Sequence, residues 1–296
     1  MASTRTPPLL EPYLCLPHET SLILLSGVLG AGTNWLVHRY LCSIFAASLT
    51  TSSPSPGRGD GSAESVDRTP QQPTSVIFAS FLRDYAFWKD GCKRLGLDLD
   101  AAGKKGSFVL IDGLTGLYAP RQSGLARRQP AEELLGRRVL LAPTVNHFRQ
   151  TIEEAVAHVQ RSSPGTQIVL ILDQPDFLLA SVGVAISSQH LRDVIIDLRE
   201  KVHSCIVTVS ADEPLISAQA TALEKEHAAL VLSLAHDAHL VMSLRALETG
   251  TAKDVSGVLR VTPGGDEGIA GISIEDRELL YFIGGDGSVR VFERGQ

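Results

Sequence analysis

The apolar positions of this chain gather into unbroken runs separated by amphipathic stretches. Residues 22–25, 76–81, "SFVLIDG" (107–113), "QIVLILD" (167–173), "CIVTVSA" (205–211) and "HLVMSLRAL" (239–247) are rich in Val, Ile, Leu and Phe, with little polar alternation. Strands of that composition are covered on both faces. The stretches between them predict helices over 34–47, 85–95, 144–160, 188–203 and 218–234. In the third of these, Phe148, Ile152, Ala155, Val156 and Val159 recur at helical spacing on one side. Strands alternating with helices predict an α/β fold with a mainly parallel sheet flanked by helices. Three short apolar segments, 259–262, 279–283 and 288–292, are separated by Gly-rich turns. They predict C-terminal antiparallel hairpins that extend one edge of the sheet.

Two segments interrupt the alternation. Residues 50–75 are rich in Ser, Pro and Gly and nearly free of large apolar side chains. Such a stretch buries too little surface to offset its ordering entropy, and is expected to be a disordered insertion. The strand pattern resumes at once in "SVIFASF", so the expected organisation is one domain over residues 1–296 rather than two joined by a linker. Residues 119–138 are polar and expected to form a loop carrying Arg121, Arg127, Arg128, Arg137 and Arg138, with Glu132 and Glu133 among them.

The first strand leads into Gly27, four residues, Gly32 and a helical pattern, which is the strand, turn and helix of a P-loop. Gly27, Gly30 and Gly32 suit the backbone of such a loop, but the lysine position holds Thr33 and the Ser/Thr position holds Asn34. Losing the lysine removes an attraction to phosphate of roughly 4 kcal/mol at 4 Å in a medium of intermediate dielectric. The expectation is a degenerate Walker A motif, a structural turn without phosphate chemistry. "QIVLILDQPD" resembles a Walker B strand, with Asp173 where an acid would orient magnesium; an acid at the end of a parallel strand is also an ordinary feature. A catalytic glutamate belongs near the end of the second strand, where the chain reads Ala79, Ser80, Phe81.

Composition narrows the classes. The formal charge is -6, so nucleic-acid binding by net charge is disfavoured and needs a local patch or a partner. The four cysteines form no C-x-x-C pair, which argues against zinc and against a disulfide framework and favours a reducing compartment. No run approaches the ~20 apolar residues of a membrane span. His236 and His239 form H-x-x-H without a third ligand at a convincing spacing, and no nucleophile elbow or catalytic triad is readable. Neither a metal nor a cofactor is expected. Tyr85, Phe87 and Trp88 form an aromatic cluster that suits a core, an interface or a base-stacking platform.

Four stretches then carry a family likeness: "VIFASFLRDYAFWKDGCKRLGL", "IVLILDQPDFLLA", "ETGTAKDVSGVLRVTPGG" and "ELLYFIGGDGSVRVF". Together, in this order, they resemble the Elongator complex protein 6 family in its fungal form, over residues 22–292. The most specific pieces are DQPDFLL and the T-G-x-A-K-D-V-S-G hairpin containing Thr249 and Gly250. The resemblance implies a RecA-like P-loop NTPase fold without an intact Walker A motif and a subunit that is not itself an enzyme. It also implies assembly with Elongator proteins 4 and 5 into a hetero-hexameric ring of two copies each. That ring is an accessory part of the complex that modifies tRNA wobble uridines, in cytoplasm and nucleus, and binds tRNA when assembled. The family supplies no catalytic residues.

Candidate subunit contacts are Tyr85, Phe87 and Trp88, the loop Asp173, Gln174, Pro175, Asp176 and Phe177, and the hairpin residues Lys253, Asp254 and Arg260. The five arginines of 119–138 are the RNA-contact candidates. Two rival readings remain: an active ATPase with a deviant loop in which Asp173 holds magnesium, and a RecA paralogue that binds single-stranded DNA.

Overall fold

The computed structural model describes residues 6–50, 72–118, 136–182, 185–247, 252–266 and 274–293. Most of the 50–75 insertion, Arg121, Arg127, Arg128, Thr249 and Gly250 lie outside them.

The apolar runs form the strands β1 (Leu22–Gly27), β2 (Thr74–Ser80), β3 (Phe108–Asp112), β4 (Arg137–Val139), β5 (Gln167–Asp173), β6 (Ser204–Ser210) and β7 (Leu240–Arg245), followed by β8 (Gly257–Pro263), β9 (Arg277–Ile283) and β10 (Val289–Glu293). They make one ten-stranded sheet in the order β10-β9-β8-β7-β1-β6-β5-β2-β3-β4. From β7 to β4 every pairing is parallel, while β8, β9 and β10 add antiparallel strands at the β7 edge. The expected parallel sheet with antiparallel C-terminal strands is what the chain forms.

The lack of polar alternation has a direct cause. Successive residues of one strand enter opposite cores. Ile168, Leu170 and Leu172 of β5 pack on one face of the sheet and Val169 and Ile171 on the other. The first face is covered by α5 (Val145–Ser162), α7 (Ser188–Arg199) and α8 (Ala222–Asp237), with α6 (Phe177–Val182) beside them. The second is covered by α1 (Asn34–Thr50), α2 (Tyr85–Arg94) and α3 (Leu99–Lys104); a short α4 (Thr115–Tyr118) follows β3.

Helix starts follow their caps. Asp84, Thr144 and Ser187 each accept the N–H three residues on, and Thr221 with Glu224 forms a reciprocal capping box. That box starts α8 at Ala222 rather than at the expected 218, because Pro214–Ala218 is a π turn closed by Gln219 at φ 45°. A second correction concerns Arg137 and Arg138. They lie in β4, a parallel edge strand registered on Leu110 and Ile111, and not in a loop.

Helices α1 and α2 meet at Gly91. A Cβ on Gly91 would come 2.0 Å from His38 Nε2, so the glycine is required for the close approach. His38 stacks there on Trp88 (centroids 4.9 Å apart), and burial pushes its imidazole down to about 4, leaving it neutral. Gly91→Ala is expected to destabilise the chain by about 1–3 kcal/mol through overpacking. Urea unfolding of Gly91→Ala, His38→Ala and the double variant tests this. The double variant should lose less than the sum of the singles, and strict additivity would refute the contact.

Candidate functional site

The C-terminal ends of β1, β6, β5 and β2 lie side by side, which places the P-loop-like turn, the Asp173 loop and Ser80 at one end of the sheet. In open α/β sheets this end is where ligands bind.

Gly27 ends β1 and the chain folds back in a tight turn. Val28 and Ala31 form an isolated bridge, Ala31 N–H donates to Val28 C=O at 2.8 Å, and Gly30 takes the φ of 87° that such a turn asks of its third residue. A Cβ on Gly27 would meet the Ala31 carbonyl oxygen at 2.8 Å, so the loop's own backbone lies against the strand end. Thr33, where a lysine would stand, is buried. Leu29 N–H donates to Asp212 Oδ1 at 2.7 Å, and Ala211 N–H donates to Gly27 C=O at 2.8 Å. Two amides of the loop, those of Leu29 and Ala31, are therefore bonded to protein oxygens, and one of those oxygens belongs to a carboxylate. A like charge about 4 Å from a phosphate repels it by roughly 4 kcal/mol at intermediate dielectric, the reverse of a P-loop lysine. Gly32 and Asn34 complete the entry into α1, with Thr33 C=O accepting from Leu36 and Val37.

Asp173 is equally engaged. Ser80, Asp173 and Thr208 are direct cross-strand neighbours on β2, β5 and β6. Ser80 Oγ donates to Asp173 Oδ2 and Thr208 Oγ1 to Oδ1, both at 2.9 Å. Trp88 Nε1 donates to Ser80 Oγ at 3.0 Å. The carboxyl is 1% exposed, and burial pushes it up to about 6 against the pull of those two hydroxyls. Both oxygens are thus held by side chains of its own sheet. At the end of β2, where the sequence offers no glutamate, Ser80 serves this bond.

The next three residues build a buried turn. Gln174 sits at φ 59°, a left-handed position held by bonds from its N–H to Thr208 and from Ser210 Oγ to its Oε1 at 2.7 Å. Asp176 is 4% exposed; its Oδ2 accepts from Ser210 N–H at 3.2 Å and lies 3.9 Å from His227 Nδ1. His227 Nε2 lies 2.8 Å from Ser210 C=O. Asp176 Oδ1 is buried without a hydrogen-bond partner among the described residues. Burial, and then the neighbouring Asp173, push the Asp176 carboxyl up to about 7.

The candidate contact residues lie at different depths in the fold. Trp88, Asp173, Pro175 and Asp176 are buried in this chain's own core, because their polar atoms or rings serve the strand ends. Tyr85, Gln174 and Phe177 are partly exposed, and Phe87, Lys253, Asp254 and Arg260 are exposed. Arg260 forms a bidentate pair with Asp276 at 3.2 and 2.7 Å. Arg137 lies over the Tyr85 ring (3.7 Å to the centroid) and bonds Asp100 at 3.3 Å; Arg138 pairs with Glu154 at 3.5 Å. The Lys89 ammonium, then the Tyr85 hydroxyl, hold Asp100 down to about 2. Asp212, Thr208 and His227 escaped the sequence reading. The polar Thr208 inside the run "CIVTVSA" was the one local signal available. Among the described residues no group of three or more His, Cys, Asp or Glu side chains could hold a metal, and no helix is long and apolar enough to cross a membrane.

Fold and site together define a RecA-like α/β fold whose P-loop-like turn and Asp173 are hydrogen bonded within the chain. Along 93% of its length the chain superposes on a KaiC-like protein of the archaeon Pyrococcus horikoshii, covering 90% of that chain at a TM-score of 0.50 and 11% identity, a likeness of fold alone. A sequence profile described as Elongation complex protein 6 matches residues 71–281, and the chain belongs to that family. It is 25% identical over 285 residues to the Elongator complex protein 6 homolog of Schizosaccharomyces pombe, covering 95% of this chain and 94% of that one. It is 26% identical over 224 residues to Elongator complex protein 6 of Xenopus laevis, covering 71% of this chain and 80% of the relative.

The two raised carboxyls fix a sign for pH dependence. The folded chain keeps protons that an unfolded aspartate releases near pH 4, so this contribution is full at low pH. It is lost as pH rises to the folded values of about 6 and 7. Asp176→Asn, neutral at every pH, should be more stable than the parent at pH 8 by on the order of 3 kcal/mol, with the gap narrower at pH 5 and closing only near pH 4. Urea unfolding at both pH values measures it. A gap that widens towards pH 5 would refute the assignment.

Proposed function

We propose that the chain is a non-catalytic RecA-like subunit of Elongator. In this reading it joins Elongator proteins 4 and 5 in a hetero-hexameric accessory ring, and the assembled ring binds tRNA in support of wobble-uridine modification, in cytoplasm and nucleus. The observation that carries the non-catalytic part is Asp173, whose two carboxylate oxygens are taken by Ser80 and Thr208 while the loop amides of Leu29 and Ala31 bond protein oxygens. The names of the family and of its relatives support the Elongator part. RecA-like domains packed side by side bring the edge of one near the cleft of the next, so a subunit without its own site still spaces the ring or completes a neighbour's. Arg137 and Arg138 are engaged within the fold, which leaves Arg121, Arg127 and Arg128 as the stronger RNA-contact candidates. The single-stranded DNA reading draws no support from a net charge of -6.

A tagged pull-down from native extract, followed by native mass measurement, tests the assembly. The expected product is a closed ring containing two related RecA-like partners, with further Elongator subunits retained at low salt. A lone monomer or a homo-oligomer would contradict it. In the reconstituted ring, Arg121, Arg127 and Arg128 changed together to Ala should weaken tRNA binding and flatten its salt dependence by up to about 3 units of slope. An unchanged affinity and slope would remove these residues from the RNA surface.

A further inference from the structure

Helices α1 and α2 and the β9–β10 turn border a cavity of about 350 Å³. Small-molecule sites span about 300–1,000 Å³, so the space suits a compact ligand. Helical spacing builds its sides. On α1, Trp35 and His38 are three positions apart and share a face; on α2, Phe87, Gly91 and Arg94 do the same. Arg39 Nη2 donates to Gly287 C=O at 3.5 Å and ties the β9–β10 turn to α1 as the third side. The walls are aromatic and aliphatic, with Ile283 and Val289 beside Trp35 and Phe87. Trp35 is set by Tyr281, their ring centroids 5.1 Å apart.

Two polar atoms of the lining residues are left over. Trp35 Nε1 and His38 Nε2 are buried with no hydrogen-bond partner among the described residues, and His38 as a whole is 9% exposed. A buried polar atom is costly until it is given a partner. The side chain that would cover the imidazole nitrogen is absent, since a Cβ on Gly91 would come within 2.0 Å of it. At the rim, Asp90 and Arg94 are exposed, four positions apart on α2 and opposite in charge. Among the described residues neither makes an ion pair.

We propose that this cavity binds a free amino acid with a phenol side chain, L-tyrosine being the simplest. Its ring lies between Trp35 and Phe87 and its hydroxyl reaches Trp35 Nε1 and His38 Nε2. Its carboxylate faces Arg94 and its ammonium faces Asp90. A hydroxyl both accepts and donates, so one group takes the Trp35 N–H and partners the imidazole in either tautomer. Burial, chiefly, holds that imidazole down to about 4, so it is neutral and asks for no anion. A phenyl ring leaves both nitrogens orphaned, and an indole brings only a donor. A mononucleotide suits the aromatic walls but brings phosphate to a rim that holds Asp90. The paired charges of an amino acid match both rim residues.

Equilibrium dialysis of radiolabelled L-tyrosine against the full-length protein tests this. The expected result is saturable binding at one site with a Kd below about 1 mM. L-phenylalanine, which lacks the hydroxyl, and tyramine, which lacks the carboxylate, should each compete at least about tenfold more weakly. Arg94→Ala, an exposed change at the rim, should weaken L-tyrosine about tenfold and leave tyramine unchanged. No saturable binding up to that concentration would overturn the proposal. So would equal competition by L-phenylalanine and L-tyrosine, or an Arg94→Ala variant that binds L-tyrosine as the parent does.

Discussion

A buried carboxylate must be given donors, and at Asp173 that requirement organises the end of the sheet. Ser80 and Thr208, its direct neighbours in register on β2 and β6, supply one hydroxyl to each oxygen. Trp88 bonds Ser80 and so docks α2 under the same row, while the Gln174 turn is bonded to Thr208 and Ser210. Leaving such a group without partners costs several kcal/mol, so these bonds are made together or the strand ends do not pack. A carboxylate satisfied in this way is a structural tie across three strands.

The first strand's turn obeys the same logic. A nucleotide-binding loop keeps its amides pointing at an empty space that phosphate will fill. Here the loop closes on itself in the Val28–Ala31 turn, and a carboxylate, Asp212, accepts the Leu29 amide. Leu29 itself is left 90% exposed at the tip. The backbone outline of a P-loop persists because strand, tight turn and helix still have to be joined. Its electrostatic sign at the Leu29 amide is reversed.

The sheet was legible in the chain because strands buried on both faces leave a strong mark, an apolar run without alternation. β4 left no such mark. Its three residues, Arg137–Val139, are half-buried at an edge and read as loop. The start of α8 moved because the Thr221–Glu224 box sets it and the π turn before it does not. At the site, the missing lysine and the missing glutamate were visible as absences. What occupies their places was not visible, since Asp212 reaches Leu29, and Ser80 reaches Asp173, only through the fold.

The central proposal is that hydrogen bonds within the chain leave its P-loop-like turn without a nucleotide site. Calorimetric titration of magnesium-ATP into the purified full-length protein tests it most directly. The account predicts no saturable heat up to millimolar nucleotide, for the parent and for Asp173→Ala alike. Saturable binding in the micromolar range that Asp173→Ala abolishes would show a working site and contradict the account.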